Sequence, residues 1–339
     1  MTAAPATVIR VGTRGSALAV AQTTAVAKKL AAAAGAEIEI ITITTHGDTS
    51  TDSLASLGGT GVFASALREA LLADECDLIV HSLKDLPTAA HPGLHVGAVP
   101  KRADARDALC ARDGLTLDTL PAGAKVGTGS PRRAAQLRAA RPDVVVVDIR
   151  GNVDTRLSRI ETDDPERHLD AVILAAAGLG RLGRLDAVTE FLDINDWPTA
   201  PGQGALAIEV RDAAPRDGHG GGATAARDRA LATGLRAVDH ATTRAAVEAE
   251  RAVLAGLEAG CSAPIAASAI VDSDLLFLTA TVYSPDGSAR LTSSHAATPD
   301  SHGPKDLADA ANDVASRVVA ELLGNGAAEL APLQSTKGT

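Results

Sequence analysis

The chain has 339 residues, 45% of them apolar, so two or three domains with their own cores are expected. Only three Phe, one Tyr and one Trp are present, which leaves the cores to Ala, Val, Leu and Ile and argues against a base-stacking platform for nucleic acid. A net charge of −10 argues against nucleic acid or an anionic membrane surface as the main partner, and three cysteines with no zinc-like spacing fit a reducing, cytoplasmic setting without a metal.

The N-terminal "VIRVGTRGSALAVAQTTAVA" loosely mimics an export signal. Gln22, Thr23 and Thr24 interrupt its apolar stretch, however, and Val8 to Val11 read as a strand. No apolar run reaches membrane-spanning length. "TVIRVGT" is thus a predicted strand, followed by a helix with Ser16 as N-cap and Gly35 just past its end. "EIEIITITT" alternates as a strand, "GVFASALREALLADE" is a helix and "CDLIVHSL" a strand. This alternation is that of a parallel α/β sheet.

The rhythm restarts after about Arg102. "AKVGTGS" is strand then turn, "PRRAAQLRAA" is a helix with Pro131 in its first turn, and "DVVVVDI" reads as a buried strand. "NVDTRLSRI" is a short helix, "LDAVILAAA" a strand, and "AGLGRLGRL" a loop or short helix. "LPAG" and "WPTAPGQGA" are breaks. The glycine-rich 212–228 reads as a mobile insert or linker. A helix follows from His240, its stripe running through Ala246, Val247, Val253, Leu254 and Leu257, with Gly260 where a left-handed cap would fall. "IAASAIV", "LLFLTATVYS" and "ARLTSSHA" form a predicted three-strand meander with "PDG" as a turn, and "KDLADAANDVASRVVAELLGNGA" is a closing helix.

Candidate chemistry gathers after the strands. From Arg132 to Arg184 there are ten arginines, eight carboxylates and no lysine, in a chain that is net acidic. Arg132, Arg133, Arg150, Arg156 and Arg181 each follow a predicted strand, the edge where open α/β sheets bind ligands. Arginine suits bidentate recognition of carboxylate or phosphate, so a polyanion cleft and a solvated basic face are the two readings. "GTRGS" repeats the design with Arg14 and Ser16, without matching a phosphate loop. In "HSLKDLPTA", Ser82 and Lys84 share one side if the chain is extended, with Asp85 opposite unless it turns before Pro87. Asp85 is either the partner of a Lys–Asp pair or an acid that stabilises a cation or shuttles a proton. Cys76 and Cys110 read as small buried hydrophobes. Cys261, on a turn in "LEAGCSAPIA", is either filler or a functional thiol.

"VGTRGSALAVAQ", "GGTGVF", "DLIVHSLKDLPT", "VGTGSPRRAAQL", "IRGNVDTRLSRI", "AVILAAAGLGRLG", "PGQGALAIE" and "LEAGCSAPI" occur here in order along nearly the whole chain. Together they resemble the porphobilinogen deaminase (hydroxymethylbilane synthase) family. The resemblance implies an α/β fold of two periplasmic-binding-protein-like lobes with the active cleft between them, plus a small α+β C-terminal domain. Domain 1 would cover 8–100 with 204–222, domain 2 104–198, and domain 3 226–339, with hinge crossings near 100–104 and 198–204. The implied activity is a transferase of tetrapyrrole biosynthesis: four porphobilinogens condense head-to-tail into hydroxymethylbilane with loss of four ammonias.

By the same resemblance, Cys261 carries a dipyrromethane cofactor through a thioether. Asp85 matches the catalytic aspartate, and Lys84 and Ser82 match its neighbours in the cleft. Thr128, Ser130, Arg132, Arg133 and Arg156 match cofactor contacts. Arg14, Ser16, Phe63, Arg150, Arg181 and Gln203 match contacts to substrate and growing chain. Ser56 and Thr60 stand where family members often have lysine, Gly129 replaces a common serine, and 48–62 reads as a mobile lid. The partners implied are porphobilinogen and the growing polypyrrole, with uroporphyrinogen-III synthase downstream; a monomer is implied. A solute-binding module is the alternative from another class. It would want an export signal and has no use for Cys261. A phosphate-handling enzyme would lack its loop.

Overall fold

The computed structural model describes residues 7–44, 62–212, 223–260 and 263–333, with the side chains of 62–63 and 223–224 also left outside the description. In chain order the elements are β1 (Val8–Arg14), α1 (Ala17–Ala34), β2 (Glu37–Ile43), α2 (Val62–Leu72), β3 (Leu78–Ser82), β4 (Leu94–Ala98), β5 (Asp107–Ala111), β6 (Lys125–Gly127) and α3 (Pro131–Ala140). There follow β7 (Val145–Val147), α4 (Val153–Glu161), β8 (Ala171–Ala175), α5 (Ala176–Arg181), β9 (Glu190–Phe191), β10 (Leu206–Arg211), α6 (Ala223–Val238) and α7 (Ala241–Gly256). The last elements are β11 (Ile265–Asp272), β12 (Leu275–Tyr283), β13 (Arg290–Ala297), α8 (Pro304–Gly324) and α9 (Ala327–Leu330). The chain divides into two compact units, 1–101 with 205–244 and 102–204 with 245–339.

In the first unit the sheet order is β2-β1-β3-β10-β4. β1 is parallel to β2 and β3, whereas β10 runs antiparallel to β3 and β4. Ser16 caps α1 by accepting from the Ala19 N–H at 3.3 Å, and Gly35 ends it at φ 61, a conformation that costs glycine little. Gln22 and Thr23 are buried on α1. Thr23 meets Thr13 at 2.8 Å and Gln22 accepts from Ser82, so their polarity serves the sheet edge.

Residues 223–228 open α6 rather than continuing a linker, and 226–238, placed by sequence with the C-terminal domain, pack with the first unit's core through Ala230, Leu231, Leu235 and Val238. A β-carbon on Gly234 would stand 2.6 Å from Leu30 of α1, so the glycine sets how closely the two helices approach.

The second unit holds a sheet of order β7-β6-β8-β5-β9. β6 is parallel to β7 and β8, and β5 is antiparallel to β8 and β9. Both five-stranded sheets therefore follow one plan: three parallel strands in spatial order 2-1-3, then an inserted antiparallel strand. "DVVVVDI" is shorter and more exposed than its sequence suggests. Only Val145–Val147 pair, at the edge of the sheet, and Val145 is half exposed. The final alanines of "LDAVILAAA" leave the strand to start α5.

The same unit contains the antiparallel meander β11-β12-β13. Its core joins Val253, Leu254 and Leu257 at the end of α7 to Leu278, Val282, Val314 and Val318. The left-handed residue after α7 is Glu258 at φ 51, two positions before Gly260. The Ala259 N–H reaches the Leu254 carbonyl and the Glu258 N–H the Ala255 carbonyl, the two bonds of a Schellman cap. The cap forms at Glu258 because Leu257 is buried in the core and fixes where the last turn stops.

Candidate active site

In the first unit, Arg14 ends β1 and Ser16 follows it, and Ser82 ends β3 with Lys84 and Asp85 after it, at the carboxyl ends of parallel strands. The chain does turn before Pro87: Leu83–Asp85 is one turn of 3-10 helix. Leu83 and Leu86, three apart and so on one face of that turn, are both buried. Lys84 is consequently half-buried and Asp85 exposed. Arg14 and Ser16 are half-buried, and the Ser82 hydroxyl donates to Gln22 Oε1 at 3.2 Å.

Beneath this edge lies a polar cluster that sequence reasoning missed. Glu209 of β10 is 3% exposed and takes a two-pronged contact from Arg68 of α2, with Nη2 at 2.7 Å and Nε at 3.0 Å. His81 Nε2 lies 3.1 Å from Oε2, the oxygen that also accepts from Arg68 Nε. Burial favours the neutral carboxyl, but the hydrogen bonds from His81 and Arg68 outweigh it and hold Glu209 at about 2. The cluster ties α2, β10 and the strand that delivers Asp85.

In the second unit, Thr128, Ser130, Arg132 and Arg133 follow β6, Arg150 and Arg156 follow β7, and Arg181 ends α5 after β8. β5 runs the other way, so Asp107 at its start sits opposite Ala175 at the end of β8, on the same edge. Arg150 is exposed, with Nε 3.7 Å from Asp148. Arg156 is half-buried and donates through Nε to the Gly151 carbonyl at 2.9 Å. Arg181 is also half-buried, donates to the Gly204 carbonyl at 2.7 Å, and burial lowers its pKa. Thr128 is buried, and its Oγ1 accepts from the Ser130 N–H at 3.2 Å. Ser130 in turn caps α3.

Arg132 and Arg133 are 2% and 6% exposed, not solvated. Each gives a terminal nitrogen to one oxygen of the fully buried Asp107, at 2.8 and 2.6 Å. Trp197 Nε1 and Gln203 Nε2 also donate to Asp107, at 3.0 and 2.8 Å. Burial disfavours the Asp107 anion, yet the two guanidiniums prevail and hold its carboxyl well below the usual range. Burial pulls Arg132 down, but a guanidinium stays charged in a protein. Asp107 carried a faint sequence signal, an acid opening a strand in "RADARDALCAR" just ahead of the arginine-rich stretch.

A second buried acid was also missed. Glu250 of α7 binds both terminal nitrogens of Arg102, at 2.6 and 3.0 Å, and the backbone N–H groups of Gly202 and Ala269. Arg102 Nε donates to the Gln203 carbonyl at 2.7 Å, linking Glu250 to the residue that holds Asp107.

Cys76 and Cys110 are buried, and burial pushes their thiols up to about 11 and about 12. Neither is poised as a nucleophile. Cys261, Ser56 and Thr60, all of the 48–62 segment read as a lid but the backbone of its last residue, and the side chain of Phe63 lie outside the described residues. Among the described residues no group of acids, histidines and cysteines could hold a metal ion, and no helix is long and apolar enough to cross a membrane.

Two α/β sheets of one plan, arginines after the strands of the second, and a C-terminal meander that shares its core with helices define a mixed α/β protein. Residues 9–216 match the family model described as porphobilinogen deaminase, dipyromethane cofactor binding domain, and 244–323 match the porphobilinogen deaminase C-terminal domain. The porphobilinogen deaminase of Leifsonia xyli subsp. xyli is 68% identical over 97% of this chain and 96% of its own. That of Cutibacterium acnes is 50% identical over 98% and 99%. A periplasmic substrate-binding protein of an ABC transporter from Coxiella burnetii aligns over 67% of this chain and 91% of its own, with 17% identity and a TM-score of 0.38. The chain belongs to the porphobilinogen deaminase family.

Proposed function

We infer that this chain condenses four porphobilinogens into hydroxymethylbilane, releasing four ammonias and building the product on a covalent dipyrromethane primer. The observation that carries the reading is the paired family match, over 9–216 and 244–323, on a chain whose second sheet edge bears arginines after three successive parallel strands.

The chemistry fits the residues. Loss of the aminomethyl nitrogen from porphobilinogen leaves a cationic, azafulvene-type carbon. The free α-carbon of the terminal pyrrole attacks it, and that position then loses a proton. Asp85, turned outward by the buried Leu83 and Leu86, is proposed to bind pyrrole N–H groups and stabilise the cationic states. Lys84 and Ser82 are proposed as its neighbours at the reacting ring. Each ring brings an acetate and a propionate, so the growing chain is a polyanion. Arg14, Arg150 and Arg181 are proposed to receive those carboxylates, with Ser16, Gln203 and Phe63 as further contacts.

Thr128, Ser130, Arg132, Arg133 and Arg156 are assigned to the cofactor, which supplies the nucleophilic terminal pyrrole when bound. Cys261 is its proposed attachment point. We assign three domains: the two sheets, with the return segment 204–222 in the first, and the C-terminal meander with its flanking helices. A cytoplasmic monomer, passing product to a uroporphyrinogen-III synthase, completes the reading.

Incubation with porphobilinogen tests it. Four ammonias should be released per hydroxymethylbilane formed. Saturable binding without ammonia would favour a solute-binding module instead.

A further inference from the structure

A cavity of about 220 Å³ lies wholly within the second unit, where β8 gives way to α5. Ala176 and Ala177 of α5, with Leu185 and Phe191, form apolar walls. The lining also carries one cation, Arg181, and one anion, Asp104. Ala177 and Arg181 are four apart and so share a face of α5.

Both charges have fixed positions. Arg181 donates to the Gly204 carbonyl at 2.7 Å, and burial removes part of its water, which strengthens its attraction for an anion. Asp104 is gripped by Arg106, with Nη2 at 2.7 Å from one oxygen and Nε at 3.1 Å from each. That pairing holds its carboxyl below the usual range, so it stays an anion. Arg106 in turn lies over the Phe191 ring, 4.5 Å from its centre. With the Arg106 backbone N–H, three donors meet a carboxylate that has about four lone-pair positions. The Asp104 side chain is 38% exposed, so the remaining position is open to a ligand's donor.

The cavity is smaller than the roughly 300–1,000 Å³ of sites for drug-sized ligands, so it suits one small ring rather than a chain of rings. Its walls fit an apolar body, Arg181 a carboxylate and Asp104 an ammonium. Free porphobilinogen has all three: a pyrrole ring, carboxylates, and an aminomethyl group that is protonated at neutral pH. A ring already in the chain has lost that nitrogen and would set only carboxylates against Asp104.

We propose that this cavity is a monomer-selective site for porphobilinogen, in which Arg181 binds a carboxylate and Asp104 the aminomethyl ammonium. The inference rests on the proposed function and deepens it: the carboxylate that Arg181 receives is that of the free monomer.

Steady-state kinetics of the holoenzyme test it. D104N removes the charge and keeps the side chain's shape, so KM for porphobilinogen should rise about tenfold while kcat stays within about twofold. D104E, which keeps the charge, should bring KM back to within about threefold of the unaltered protein. The second probe is the same pyrrole with methyl in place of aminomethyl, which has no leaving group. Its inhibition constant should change less than about twofold in D104N, because it has no ammonium to lose. Circular dichroism and urea unfolding establish that the variants are folded. Should D104N fail to fold, Leu185→Trp, at a half-exposed position of the rim, narrows the cavity and should raise KM at least about threefold.

An unchanged KM in folded D104N or Leu185→Trp would overturn the proposal. So would a D104E no better than D104N, or a KM and an inhibition constant that rise by the same factor. Absence of ammonia release by the unaltered protein would instead overturn the functional reading on which it rests.

Discussion

Replacing Glu209 by Gln probes the buried scaffold beneath Asp85. Glu209 is held at about 2 against an ordinary value of 4.5, worth about 3 kcal/mol at about 1.4 kcal/mol per pKa unit. A depressed carboxyl contributes stability that is fully present above pH 4.5 and is lost as the pH falls towards 2. E209Q also leaves Arg68, 9% exposed, without its counter-ion. The loss at pH 7 is therefore expected at about 3–5 kcal/mol. Because only the parent titrates at this position, its advantage should shrink by about 2 kcal/mol between pH 5 and pH 3.

Urea unfolding followed by circular dichroism reads both effects. Hydrogen exchange should locate the loosening in α2, β3 and β10, while fluorescence of the single tryptophan, Trp197, reports the second unit and should move little. A variant with the parent's midpoint at pH 7, or a gap that stays constant from pH 5 to pH 3, would refute the reasoning.

Asp85→Asn should keep the covalent cofactor but lose at least about a hundredfold in product formation, since the acid is assigned to cationic states rather than to folding; near-normal turnover would contradict that role. Arg150→Leu, at an exposed site, should leave the urea midpoint unchanged while shifting the mass distribution of covalent intermediates toward shorter chains. An unchanged distribution would remove Arg150 from the chain-binding set. Gly287 sits at φ 77 with its missing β-carbon 2.6 Å from the Ala135 carbonyl of α3, so Gly287→Ala should cost about 1–3 kcal/mol of second-unit stability by Trp197 fluorescence.

Much of the fold could be read because local signals agreed with the tertiary structure. Ser16 and Gly35 bound α1, Pro131 opens α3, and "IAASAIV" and "LLFLTATVYS" pair as two strands of the meander. Where the reading missed, the deciding facts were non-local. β10 is a short strand inserted between β3 and β4 from far along the chain, β4 pairs with β10 at the edge, and "DVVVVDI" has the composition of an interior strand but an edge position. α6 is hidden by the glycine-rich stretch before it, although Leu231, Leu235 and Val238 carry the spacing of a buried face.

The site residues after the strands were legible from their placement. Their environments were not: nothing local says that Arg132 and Arg133 are buried while Arg150 is exposed. That difference comes from Asp107, which is remote in sequence and meets both arginines only because β5 is inserted antiparallel beside β8.

The central claim is that product is built on a primer tethered to Cys261. Denatured intact mass measures this directly. The purified protein should exceed its sequence mass by two pyrrole units. The increment should disappear in Cys261→Ala and persist in Cys76→Ala, whose thiol is buried and pushed up to about 11. An active protein of unmodified mass, or an adduct that survives Cys261→Ala, would contradict the account.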